Sequence, residues 1–145
     1  MCLRRIIPAL FASLLYYGAA QAQTFDLYYG PGTGNGIFRL DLEMPATAEH
    51  IVPGNLVNTG TSIALDYVSR KLYWVADTQF GDTDKIRRSN LDGSNVEQFL
   101  LPPGQPADLV VDPYAQKLYW TERITNSINV INLNGTGQQS VIFNQ

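Results

Sequence analysis

The chain has one cysteine, Cys2, and one histidine, His50, in 145 residues. One thiol this close to the N-terminus leaves the rest of the chain without disulfides, so a core or a partner must hold it together. A thiol or serine triad needs a base beside its nucleophile. A lone histidine next to Ile51 and Val52 reads as a surface residue rather than that base. Basic residues are few, 10 against 13 acidic ones, for a formal charge of −3. Nucleic-acid phosphates demand a basic footprint, so nucleic acid is excluded as a partner. The charges are scattered, with no acidic or basic tail.

Only one apolar run is long. Residues 6–20 are apolar behind Arg4 and Arg5, and Ala20-Gln21-Ala22 has the small-x-small form of a signal-peptidase site. A membrane span needs roughly 20 apolar residues, and this run is shorter and broken by Pro8 and Gly18. Residues 1–22 are therefore expected to be a cleaved signal peptide, leaving 23–145 as the working chain with no membrane span. That chain is expected to be secreted, to an extracellular space or a periplasm. Its loss of Arg4 and Arg5 makes the charge more negative by two.

What is present is a repeat. Lys71-Leu72-Tyr73-Trp74 returns as Lys117-Leu118-Tyr119-Trp120, and a worn copy, Leu27-Tyr28-Tyr29, precedes both. Tyr28, Tyr73 and Tyr119 are 45 and 46 residues apart. Seven residues before the second and third tyrosines stand Asp66 and Asp112, each closing a short apolar run. After them come Ile86 and Ile128, then Asn90-Leu91-Asp92-Gly93 and Asn132-Leu133-Asn134-Gly135. A period of 40–50 residues with several strands per unit marks a propeller. Each unit predicts four strands, a to d. Strand a is apolar enough to be buried on both faces, and b carries the Tyr-Trp pair. Strand c starts at Ile86 or Ile128, and d covers 96–101 or 139–143. Asp-Gly and Asn-Gly between c and d predict two-residue hairpins. The glycine-rich stretch at 32–36 lacks the following lysine of a phosphate-binding loop and reads as a connection. No helical periodicity appears.

These units resemble the YWTD repeats of the low-density-lipoprotein-receptor class B family. Tyr119-Trp120-Thr121-Glu122 departs from the signature only by Glu for Asp, while Tyr73-Trp74 continues Val75-Ala76-Asp77 and Tyr28-Tyr29 keeps the aromatic pair alone. The resemblance covers about 24–143 and implies an all-β propeller of four-stranded antiparallel blades. Full domains of the family have six blades; this chain carries about three, near 24–53, 61–101 and 106–143. Half a ring leaves blade-facing apolar surface at both ends, which a homodimer or missing blades from a longer chain would cover.

The function expected is a non-catalytic scaffold that binds a protein or small extracellular ligand, without cofactor or metal. The competing reading is a lactonase-like propeller hydrolase in which Asp66 and Asp112 hold a divalent metal such as Ca²⁺. Their recurrence in each unit favours a structural role, capping the a–b turn. Likewise, Tyr73-Trp74 and Tyr119-Trp120 read as inter-blade core, and Asn134-Gly135-Thr136 as a hairpin before a glycosylation site. Successive connections alternate between the two ends of a blade. The short a–b and c–d turns share one face, and the longer b–c and d–a connections share the other. The connection at 77–84 holds Phe80 among Asp77, Asp82 and Asp84, and these four residues form the candidate partner-binding loop.

Overall fold

The computed structural model describes residues 26–30, 35–43, 47–57, 62–76 and 85–143. They form eleven strands: β1 (Asp26–Tyr29), β2 (Gly36–Asp41), β3 (Ala48–Pro53), β4 (Ile63–Asp66), β5 (Lys71–Ala76), β6 (Lys85–Asn90), β7 (Glu97–Leu100), β8 (Pro106–Asp112), β9 (Lys117–Glu122), β10 (Ser127–Asn132) and β11 (Gln139–Phe143). A single 3₁₀ turn, Gly54–Leu56, follows β3. The strands make three sheets, β1-β2-β3, β4-β5-β6-β7 and β8-β9-β10-β11, each an antiparallel meander. These are propeller blades. Among the described residues the first has strands b to d and the other two have a to d. The signal-peptide expectation falls on residues outside those described.

Strand alternation decides how the blades stack, because successive side chains point to opposite faces. Leu72 and Trp74 of β5 face the first blade and pack with Ile37, Ile51, Val52 and Val57. Tyr73 and Val75 face the third and pack with Leu118, Trp120, Ile131 and Leu133. The same division recurs in the first blade, where Tyr28 packs against the cluster holding Leu72 and Trp74. The tyrosine face of one blade thus meets the Leu-Trp face of the next, twice over.

Every c–d ladder carries a bulge at the same repeat position: Ile37/Phe38, Ile86/Arg87 and Ile128/Asn129. A bulge adds one residue to one strand and increases local twist. Its repetition shows that the three units share backbone geometry as well as sequence. Nothing in the amino-acid pattern marked it.

Three expectations need correction. The c–d hairpins of the second and third blades have three-residue loops, not two: Asn90 N–H bonds Ser94 O at 2.9 Å and Gly93 N–H bonds Asn90 O at 3.0 Å. Asn132, Thr136 and Gly135 repeat this at 3.0 and 2.8 Å. The glycine takes the left-handed position, with φ of 80° at Gly93 and 86° at Gly135, as a type I turn followed by a bulge requires. Gly93 is constrained a second time, since a Cβ there would lie 2.0 Å from the Ile51 carbonyl oxygen of the first blade. Strand β8 is not buried on both faces, for Val110 is 60% exposed. Nor is β9 covered on both. Leu118 and Trp120 are buried, but Tyr119 on the opposite face is only half-buried. The third blade has no following blade among the described residues to cover that face.

Candidate functional site

The matched carboxylates come first, because they separate a scaffold from a hydrolase. Asp66 Oδ1 accepts the backbone N–H groups of Val68 and Ser69, both at 3.0 Å. Asp112 Oδ1 accepts those of Tyr114 and Ala115 at 3.0 and 2.8 Å. Each aspartate closes the four-residue a–b turn of its own blade, in which Arg70 and Gln116 hold matched left-handed φ values of 55° and 54°. Asp66 is fully buried and Asp112 is exposed. Among the described residues no three His, Cys, Asp or Glu side chains gather where they would hold a metal ion. Tyr73 and Trp74 are buried between blades, and Trp74 Nε1–H donates to Leu56 O at 2.9 Å. Asn134 Oδ1 accepts the Thr136 N–H and hydroxyl, at 3.0 and 2.8 Å, within its hairpin.

Asp77, Phe80, Asp82 and Asp84 lie outside the described residues. The strands around them are regular, β5 ending at Ala76 and β6 starting at Lys85, which places the connection at the b–c end of the second blade. Described residues at that end include exposed apolar side chains, Leu101 and Ile124. His50 is exposed on β3 and stacks on Phe38, with ring centroids 4.7 Å apart.

One feature escaped the sequence reading, an aromatic pair on the short-turn face. The capped turns carry Tyr67 and Tyr114, whose rings meet edge to face at 6.0 Å, with Tyr114 81% exposed. A hydrogen bond to Tyr114 raises the Tyr67 pKa. The signal was available, since an aromatic follows each turn aspartate by one or two residues. The apolar surface expected at the ends of a half ring is present as the uncovered face of the third blade. Val110, Tyr119, Thr121 and Ile128 line a shallow pocket of about 180 Å³ there, together with Asp108, Leu109 and Trp120.

At the end of β9, Glu122 is 97% buried and neither carboxylate oxygen has a hydrogen bond of ordinary geometry. Desolvation raises its pKa, opposed by the surrounding N–H groups of Gln105, the Trp120 indole, Arg123 and Ile124. Gly104 presses against it so closely that a Cβ would sit 2.6 Å from Glu122 Oε1. Between the second and third blades, Arg88 ties several groups together. It binds Glu97 at 2.6 Å, lies 4.9 Å over the Phe99 ring and donates to Leu133 O at 3.1 Å. Ser62 bridges the same pair of blades, donating to Asp108 and accepting from the Leu109 N–H at 3.1 Å.

Repeated four-stranded meanders, stacked face to face about apolar clusters, define a β-propeller repeat protein. No family model matches the sequence. Low-density lipoprotein receptor-related protein 5 of Mus musculus, and that of Homo sapiens, are each 36% identical to this chain over 98 residues. The match takes in 63% of this chain and 6% of those receptors. Among solved structures, a chain of the nidogen/laminin complex superposes with a TM-score of 0.68 at 23% identity, over 79% of this chain and 43% of its own. The putative TolB from Agrobacterium tumefaciens does so at 0.63 and 15%, over 81% and 44%. The chain is therefore similar in sequence to a YWTD-repeat receptor and shares its fold with propellers more than twice its matched length. No helix among the described residues is long and apolar enough to cross a membrane.

Proposed function

We propose that this chain is a non-catalytic binding module that works outside the cytoplasm, in an extracellular or periplasmic space. The observation that carries the reading is the use made of Asp66 and Asp112. The carboxylates best matched to hold a metal in a propeller hydrolase each spend Oδ1 on backbone N–H groups of their own turns, and Asp66 Oδ2 is buried without a hydrogen-bond partner. A rigid scaffold offers its connecting loops for recognition. The partner is a protein or small extracellular ligand with a basic patch, docking over Phe80 within the acidic rim of Asp77, Asp82 and Asp84. Leu101 and Ile124, at the same end of the blades, are exposed apolar side chains as well.

The test uses a fluorescent lysine-rich peptide carrying one tryptophan as the probe. Phe80→Ala and Asp82→Lys each weaken its binding to the purified chain, and Ser94→Lys on the opposite face does not. The reverse pattern moves the site to the short-turn face, where a second reading has its own support in the Tyr67–Tyr114 pair and its exposed Tyr114 ring. In that case Tyr114→Ala abolishes binding. The hydrolase reading is tested separately. Bound divalent metal in the purified chain, or a melting temperature lowered by a chelator, would favour it over the proposal.

A further inference from the structure

The two uncovered blade faces are the two halves of an interface the chain already makes twice. On the third blade the uncovered face is the tyrosine face. Its positions match, through the strand registers, those that the second blade buries against the third. Val110 opposes Tyr119 as Ala64 opposes Tyr73, and Ile142 opposes Ile128 as Leu100 opposes Ile86. Ala64, Tyr73 and Ile86 are 8%, 1% and 0% exposed, whereas Val110 and Ile142 are 60% and 54% exposed. Val141, at the bulge position where Ile51 and Phe99 reach a neighbouring blade, is exposed as well.

At the other end the first blade presents the receiving face. Leu27 and Tyr29 occupy the positions of Leu72 and Trp74, which accept Tyr28, and of Leu118 and Trp120, which accept Tyr73. The c–d turn repeats the pattern. Leu133 is buried against the second blade and Leu91 packs against the first, but Leu42, with no blade before it among the described residues, is exposed.

Charge follows the same logic. The tyrosine face carries Arg39 paired with Glu49 on the first blade and Arg88 paired with Glu97 on the second. On the third blade the same pair of positions holds Val130 and Gln139. The face with no neighbour is thus the one from which the ion pair has been removed. A face without that ion pair has less polar surface to present to water than its two covered equivalents.

From this continuity we infer that a second copy of this chain docks head to tail. The tyrosine face of each third blade meets the Leu27–Tyr29 face of the other chain's first blade. Two copies make the contact twice and close a symmetric ring of six blades, so that the interface cannot propagate into filaments. The inference is independent of which loop binds a partner.

Light scattering on the full chain, purified after expression, is the direct measurement and should return twice the chain mass. Val110→Lys and Leu42→Glu both change side chains already exposed in one chain, so each should leave the circular dichroism unchanged and give a monomer. Val68→Lys, equally exposed but in an a–b turn, should remain a dimer. Mixing the Val110→Lys and Leu42→Glu chains should restore dimers. One of the two contacts then pairs the lysine with the glutamate while the other is unaltered, a result that only a head-to-tail joint gives. A well-folded monomer of the unaltered chain, or a dimer indifferent to Val110→Lys, would overturn the inference. So would a larger or unbounded assembly.

Discussion

Replacing Trp120 with alanine tests the stacking of blades most directly. Trp120 is 1% exposed and lies in the cluster with Tyr73, Leu109, Leu118 and Ile131, between the second and third blades. Truncating a buried aromatic removes its transfer free energy and leaves a cavity that neighbours fill only in part, a loss of about 3–5 kcal/mol. Strands hold most of that cluster and have little freedom to collapse into the space, which argues for the upper half of the range. Trp74→Ala should cost at least as much. Its ring is equally buried, and its loss also strands the Leu56 carbonyl, worth about 0.5–1.5 kcal/mol more. Urea unfolding followed by circular dichroism gives both values, with an unchanged slope confirming that the unfolded state is not the origin of the effect. A loss below about 1 kcal/mol for Trp120→Ala would mean that the ring is not enclosed and would refute the assignment of β9 to an inter-blade position.

Asp66→Ala should destabilise by about 2 kcal/mol, since two N–H groups lose a charged acceptor in a buried turn. Asp112→Ala should cost clearly less, because water reaches the same turn in the third blade; equal losses in urea would contradict the burial difference. Tyr73→Ala should cost about 3–5 kcal/mol and Tyr119→Ala substantially less at low protein concentration. That gap should narrow as the chain concentration rises, because association stabilises by mass action. Burial raises the Glu122 pKa, so the native state holds this proton more tightly than the unfolded chain does. Its favourable contribution is complete below the ordinary glutamate value of 4.5 and is lost as pH rises through the higher folded value. Glu122→Gln should therefore raise the melting temperature at neutral pH and flatten its pH dependence; a Gln variant that melts lower at neutral pH would show that the charged form is well held.

Much of the architecture was legible because the repeat lies in the residues that the fold uses hardest. Leu-Tyr-aromatic alternates at a period of two and the second blade is gripped on both faces, so the same tripeptide announces both the strand and its neighbours. Asp66 and Asp112 were readable for a related reason. A short carboxylate after an apolar run and before a turn has two N–H groups within reach of its own chain. The bulges were not readable, because they lie in the pairing of β2 with β3, β6 with β7 and β10 with β11, and are satisfied by residues as different as Phe38, Arg87 and Asn129. The loop lengths were misjudged where Asp-Gly signals a turn whose size depends on which flanking pair closes it. Asn90 and Ser94 close it here, and no local feature distinguishes that from the tighter alternative. The Tyr67–Tyr114 contact needed the distance between two blades, which a single unit does not contain.

The end blades show how a repeat protein records its environment. Within a repeat, a position is constrained by the blade on each side, and the second blade, with both neighbours present, has the most buried b strand of the three. A blade facing water would be expected to acquire charge on its open face. The third blade has done the opposite. Val110 stands where the second blade has alanine, Val130 where it has arginine, and Ile142 where it has leucine. Val110 and Ile142 keep exposed apolar side chains on a face with no described neighbour, while Val130 is itself buried beneath it. They fit a surface shaped by contact rather than by solvent, because an exposed sheet face of this composition invites uncontrolled association. The recognition chemistry of this chain is therefore to be sought in two places: in the loops at the ends of the blades, and on the flat faces where the repetition stops.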